Sequence, residues 1–290
     1  MKPQPPFSLI DRLENASALD PVATRLRNAV DTVVRPQWLR DVLHGVPLGH
    51  PLHPVAVQVP IGAWLSATVV DLVPGQQRAA KVLVATGVVS AIPAALAGYT
   101  DWSQLHEQQV RVGFVHSGAN LLGTGLYVAS FVQRSKGRHG RGKALSLAGL
   151  GAILVGGVLG GHLSYRQASG ANHVEDVPHR VPPGWHAVTR LDELGEARLE
   201  RRMLGEVPLV LYRRGSQVNV LAGVCSHLSG PLDEGTVTSD GEFCVVCPWH
   251  QSTFSLSTGE VVHGPATSPQ PVFESRVLDG TLEVRLANAG

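Results

Sequence analysis

Four apolar stretches between residues 53 and 165, almost free of charge and joined by short polar loops, constrain this chain most. Pro54–Val73 is interrupted by Gln58, Pro60 and Asp71. Val82–Gly98 and Ala144–Gly161 carry no charge, and Val112–Val132 carries none but includes His116 and Asn120. Each stretch approaches the ~20 residues needed to cross a bilayer. In water, four such helices would have no polar faces to present. The pattern therefore predicts an all-α four-helix transmembrane bundle over 53–165, multi-pass in the cell membrane, with the lipid bilayer as its partner. Gly156, Gly157, Gly160 and Gly161, with Gly118 and Gly123–Gly125, supply the small surfaces that let membrane helices approach closely.

Only 16% of the 290 residues are charged, where soluble chains carry about 25%. A mean hydropathy of +0.08 is nevertheless too low for a chain that is membrane throughout. The rest must be unlike the bundle. A net charge of +1 gives no reason to expect nucleic acid.

Residues 1–52 read as a polar and amphipathic N-terminal segment. Asp20-Pro21 opens a helix carrying Val22, Leu26, Val30 and Val33 at helical spacing. Trp38, Leu39 and Leu43 suggest a second short helix at the membrane surface. No apolar region near Met1 and no twin Arg announce a signal peptide. Residues 166–184, with Gly170, Pro178, Pro182, Pro183 and Gly184, read as a linker. Residues 185–290 read as an all-β domain. Leu209–Tyr212 and Val218–Val224 flank Arg214-Gly215, and Asp240-Gly241 and Asp279-Gly280 are turn signals.

All three Cys lie within 225–247, which points to a local metal site rather than a disulfide framework. The residues read C-S-H at Cys225–His227 and C-P-W-H at Cys247–His250. Two thiolates and two imidazoles suit tetrahedral zinc or a [2Fe–2S] cluster with Cys on one iron and His on the other. The asymmetric C-x-H and C-x-x-H spacing is the pattern of the second. Cys244, on the preceding strand, reads as a buried apolar thiol.

Residues 185–290 resemble a Rieske domain through C-S-H-L-S-G-P-L at Cys225–Leu232 and C-P-W-H-Q-S-T-F-S-L-S-T-G-E-V-V-H-G-P-A at Cys247–Ala266. The resemblance implies a [2Fe–2S] cluster with Cys225 and Cys247 on the inner iron. His227 and His250 would hold the outer iron, where electrons leave. It also implies a hydrogen bond from Ser252 to a cluster sulfide. Phe254 replaces a Tyr that donates to a Cys sulfur in high-potential respiratory relatives, so a low potential is expected. Gly230 and Trp249 stand where those relatives carry a disulfide, which makes this chain resemble the ferredoxin type. Nineteen residues separate His227 from Cys247, slightly more than is usual in the family, and Gln251 stands where Gly is usual.

Roughly residues 40–170 resemble the bacterial membrane family DUF2231. The resemblance rests on G-H-P-L-H-P at Gly49–Pro54, P-I-G-A-W at Pro60–Trp64, G-Y-T-D-W at Gly98–Trp102, H-S-G-A-N at His116–Asn120 and G-G-H-L-S-Y at Gly160–Tyr165. The family name carries no function. Alternating helices place His53, His116 and His162 on one side, and intramembrane ionisable groups are functional candidates. They read as axial ligands of a b-type haem, as a quinone site, or as plain hydrogen-bonding groups at helix ends.

Together these readings predict a membrane-anchored electron carrier, not a stand-alone enzyme, passing electrons to or from a haem or quinone in the bundle. The alternatives are the electron-supplying ferredoxin component of an oxygenase system and a membrane redox sensor. No residue identifies the redox donor or acceptor. Arg78, Lys81 and the cluster Arg134, Lys136, Arg138, Arg141 and Lys143 would put those loops in the cytoplasm and the Rieske domain outside. The absent disulfide and the lack of an export signal favour a cytoplasmic Rieske domain instead, and that is the expectation adopted.

Overall fold

The computed structural model describes residues 7–239 and 242–287, so the turn expected at Asp240-Gly241 lies outside the described residues. The chain divides into two units. One holds the chain up to Pro36 together with Pro51–Ser169, and the other holds Gln37–His50 and the chain from Gly170 onward.

The first unit is helical. It comprises α1 (Phe7–Glu14) and α2 (Asp20–Val33), while α3 (Gln37–His44) belongs to the second unit. Then follow α4 (Leu52–Ala56), α5 (Gln58–Val70), α6 (Gln77–Trp102), α7 (Glu107–Ser135) and α8 (His139–Tyr165). Pro21 sits in the first turn of α2, where a missing N–H costs nothing. Three helices among the described residues are long and apolar enough to cross a membrane: Leu52–Val70, Gln77–Trp102 and His139–Tyr165. The expectation of four such spans is corrected on one point. Helix α7 has 29 residues but is not apolar enough to be counted with the others.

The reason lies in where its polar groups go. Nδ1 of His116 lies 2.8 Å from the carbonyl of Gly156 on α8, and the hydroxyl of Ser130 donates to the Gly142 carbonyl at 2.7 Å. Arg134, fully buried, pairs with Asp71 at 2.8 Å and donates from Nε to Ser130 at 3.0 Å. A buried ion pair persists only with good geometry and further hydrogen bonds, and this one has both. Outward, α7 turns Leu121 and Leu122 to the surroundings, while α6 exposes Val89 and Ile92 and α8 exposes Leu154 and Val158. Such an apolar exterior is what lipid requires.

Helix contacts use small residues as expected, though not all of them. A Cβ on Gly123 would lie 3.1 Å from the Gly149 carbonyl, which marks the close approach of α7 and α8. Gly156 and Gly160 instead make room for Asn120 and His116. Gly118, Gly125 and Gly157 face open space. Trp64 of α5 stacks on Tyr127 of α7 with centroids 4.2 Å apart.

The second unit is built on strands β1 (His186–Arg190), β2 (Leu199–Leu204), β3 (Val207–Arg214), β4 (Gln217–Ala222) and β5 (Thr236–Thr238). It continues with β6 (Cys244–Val246), β7 (Thr253–Ser255), β8 (Val261–His263), β9 (Val272–Leu278) and β10 (Thr281–Leu286). Six form one antiparallel sheet in the order β1-β10-β9-β4-β3-β2, and four form another, β5-β6-β7-β8. Side chains alternate across a strand. On β3, Leu209 and Leu211 therefore enter one core with Val220, Phe273 and Leu282, and Val210 and Tyr212 enter another with Val245 and Phe254. Asp279 and Gly280 both have positive φ, 49° and 77°, as a tight two-residue hairpin turn demands.

Two segments outside the expected domain join this unit. Val174, Val177 and Val181, within the stretch read as a linker, are buried in its first core; Val177 opens the short helix α9 (Val177–Arg180) and Val181 follows it. Helix α3, read as a membrane-surface helix, buries Leu43 and His44, with His44 against the loop after β8.

Candidate metal centre

Two loops carry the Cys–His motifs, one after β4 and one between β6 and β7, and they close in the same way. The N–H of Cys225 donates to the carbonyl of Gly230 at 2.8 Å, and its own carbonyl accepts from Ser229 at 2.9 Å. The N–H of Cys247 donates to the carbonyl of Ser252 at 2.8 Å, and its carbonyl accepts from Gln251 at 3.0 Å. In both loops the fourth residue after Cys is left-handed, Ser229 at φ 61° and Gln251 at φ 62°. That explains the family's preference for Gly at position 251, since a side chain there is disfavoured by about 1–2 kcal/mol. Gln251 adopts the required backbone, so the departure leaves the loop intact.

The loops bring the four expected side chains together. The Cys225 and Cys247 side chains hydrogen-bond each other, and both residues are buried. The imidazoles of His227 and His250 stand 5.1 Å apart, centre to centre, with planes at 89°. Both His are only partly buried. The sulfurs therefore lie on the inner side and the imidazoles on the rim. The Cys225 hydrogen bond, aided by the backbone N–H groups of Trp249 and His250 against the opposing effect of burial, pulls the Cys247 thiol down to about 7. The same pairing, with burial, pushes Cys225 up.

The surroundings are shaped for a group held between the loops. A Cβ on Gly230 would lie 2.7 Å from the Cys247 sulfur, so only Gly fits there. The Ser252 hydroxyl, fully buried, accepts the Ala266 N–H at 3.0 Å and hydrogen-bonds the Cys225 sulfur. Phe254 is fully buried in the core. Cys244 is buried, with its thiol toward the Glu242 carbonyl. Trp249 is half exposed beside His250, at 6.5 Å between ring centres. Two buried sulfurs and two rim imidazoles fit a [2Fe–2S] group with unlike irons.

In the helical unit, the three His expected to act together separate. His53 and His116 face each other, ring centres 6.2 Å apart and planes at 82°. Each Nδ1 lies 2.8 Å from a helix carbonyl, that of Ala94 for His53 and that of Gly156 for His116. A carbonyl only accepts, so Nδ1 carries the proton and each Nε2 presents a lone pair. The Asn120 amide lies 3.2 Å from Nε2 of His116. His162 stands apart from this pair in its bonding, its Nε2 2.6 Å from a Glu14 carboxylate oxygen.

Sequence reasoning missed Asp41. Its Oδ1 accepts the Gly264 N–H at 3.0 Å, and its Oδ2 lies 3.0 Å from Nδ1 of His263. No local pattern signals a contact across 223 positions.

Residues 184–274 match the family described as Rieske [2Fe-2S] domain, and residues 49–173 match the predicted membrane protein family DUF2231. The ferredoxin subunit of anthranilate 1,2-dioxygenase from Burkholderia cepacia is 35% identical over 102 residues, 35% of this chain and 92% of that protein. Ferredoxin CarAc from Metapseudomonas resinovorans is 32% identical over 101 residues, 34% of this chain and 92% of that one. Among solved structures, the complex of reduced oxygenase and oxidized ferredoxin in carbazole 1,9a-dioxygenase matches at 31% identity and a TM-score of 0.32, over 35% of this chain and 92% of that chain.

The tightness at Gly230 is testable. Gly230→Ala should sharply reduce iron per purified chain while leaving the β-sheet circular dichroism of the domain in place. Wild-type iron content in that variant would show that the loops do not close around the metal as described.

Proposed function

Because this chain belongs to the Rieske [2Fe–2S] ferredoxin family through its C-terminal domain, with a DUF2231 membrane domain ahead of it, we propose that it is a membrane-anchored electron-transfer protein. One observation carries the reading: two matching loops place two thiols inside and two imidazoles on the rim. Cys225 and Cys247 would hold the inner iron, and His227 and His250 the outer. Bound there, a [2Fe–2S] cluster supplies a one-electron couple. Burial of the Cys side keeps water from the sulfurs, while the partly exposed His rings offer partners a short path. Backbone N–H groups of His227, Trp249 and His250 stabilise the thiolates. Ser252 supplies one hydroxyl, and Phe254 supplies none. The relatives named as ferredoxin subunits of dioxygenases support an oxygenase component as the acceptor.

The expected content is two irons and two acid-labile sulfides per chain, with a midpoint in the lower part of the Rieske range of about −150 to +300 mV. Ser252→Ala should lower that midpoint further, because it removes a hydrogen bond to a ligand sulfur. Zinc without sulfide, in protein made with iron available, would overturn the reading.

A b-type haem between His53 and His116 extends the same reading into the bundle. His53 and His116, the two rings that face each other across the bundle, would be the residues to hold it. Their ring centres stand 6.2 Å apart. Nδ1 held by a carbonyl is the arrangement that orients ligating His. Bound there, a haem would supply a second one-electron couple. His162, engaged by Glu14, is left out. Membranes supplied with haem should show a Soret band lost in His53→Ala and His116→Ala but kept in His162→Ala. Full-length protein without that band refutes the haem, and loss only in His162→Ala refutes the pairing.

The Rieske domain is assigned to the cytoplasmic face. Gly230 and Trp249 leave no disulfide there, which suits a reducing compartment. The opposing cluster of cations is partly occupied inside the bundle, since Arg134 pairs with Asp71 and Lys143 donates to the Asp71 carbonyl. A C-terminal reporter should be active only when cytoplasmic, and one at Gly140 only when periplasmic. The reverse pattern would put the Rieske domain outside, and both reporters on one side would mean that α8 does not cross.

A further inference from the structure

We propose that Asp41 is a positioning residue for the metal centre, acting through the hydroxyl of Ser252; the inference rests on the [2Fe–2S] reading above. Asp41 lies on α3, far upstream of the residues that match the Rieske family. Its carboxylate is 15% exposed and holds the segment after β8 at two points, the Gly264 N–H and the His263 ring, each at 3.0 Å. The Gln37 amide fixes the same carboxylate at 2.9 Å. The end of the helix and the turn after it also press on this segment: a Cβ on Gly264 would lie 3.1 Å from both His44 and Val46.

Two residues beyond Gly264, the buried Ala266 donates its N–H to the Ser252 hydroxyl oxygen at 3.0 Å. A Ser hydroxyl rotates to suit its neighbours. With its oxygen held by Ala266, its proton is directed to the Cys225 sulfur. Ser252 is tied to the other Cys as well, its carbonyl accepting the Cys247 N–H at 2.8 Å. Asp41 thus sets the segment 263–266, that segment sets the hydroxyl, and the hydroxyl touches a ligand sulfur. A hydrogen bond to a ligand sulfur raises the potential.

The sign separates this role from simple charge. Removing a nearby carboxylate favours an added electron and raises the midpoint, whereas releasing the hydroxyl lowers it. The test uses full-length protein in detergent: wild type, Asp41→Ala, Asp41→Asn, Ser252→Ala and the Asp41→Ala/Ser252→Ala double variant. Iron, sulfide and the electron paramagnetic resonance signal of the reduced state are measured before the midpoint. Asp41→Ala should lower the midpoint, in the same direction as Ser252→Ala, and should add no further drop when Ser252 is already Ala. Asp41→Asn, which keeps an acceptor for the Gly264 N–H, should show no fall. An unchanged or raised midpoint in Asp41→Ala, or an equal drop in both backgrounds, overturns the proposal while the wild-type cluster stands. A wild type without iron and sulfide overturns the cluster reading and this inference with it. Should Asp41→Ala lose its iron, amide exchange in the apoprotein decides: faster exchange confined to 263–266 supports the role, and unchanged exchange there ends it.

Discussion

Polar groups buried away from water must find partners within the protein, and that requirement places the residues of functional interest in both units. In the helical unit it turns His53 and His116 toward the carbonyls of neighbouring helices and joins Arg134 to Asp71. In the β unit it sets backbone N–H groups against the two buried Cys sulfurs. These contacts leave the second ring nitrogen of each His, that of His116 within 3.2 Å of the Asn120 amide, and the two Cys sulfurs. Function is drawn from what the hydrogen bonds leave over.

The two metal loops are alike in backbone and unlike in what they carry. Both are closed by the Cys N–H and carbonyl around a left-handed fourth residue. The His stands two positions after Cys in one loop and three after it in the other, and the rings stand at nearly right angles. The same scaffold thereby offers sulfur on one side and nitrogen on the other. Unlike ligands on the two irons are what set Rieske potentials above those of all-Cys clusters.

The short left-handed positions and the close approach of Gly230 to sulfur leave little freedom in these loops. Support from outside them matters correspondingly. The stretch carrying Val174 and Val181 contributes to the core beneath the sheet, and α3 grips the segment that meets Ser252. A ferredoxin domain carried on a membrane protein has thus drawn chain from both sides of the bundle segment into its own unit.

Much of this was legible in the amino-acid order because it rests on local patterns. Uncharged runs mark helices, paired C-x-H and C-x-x-H mark the two loops whose side chains converge, and Asp279-Gly280 marks a turn. Polarity along α7 could not be weighed that way, since its His116, Ser130 and Arg134 are offset by partners on other helices. For the same reason sequence grouped His162 with His53 and His116, whereas Glu14 claims His162. Asp41 was invisible because its partners lie 222 and 223 positions away. Local chemistry, which depends on neighbours in the chain, was determined by sequence alone. Which buried polar group meets which was decided only by tertiary packing, because a hydrogen bond across such distances has no period or motif to announce it.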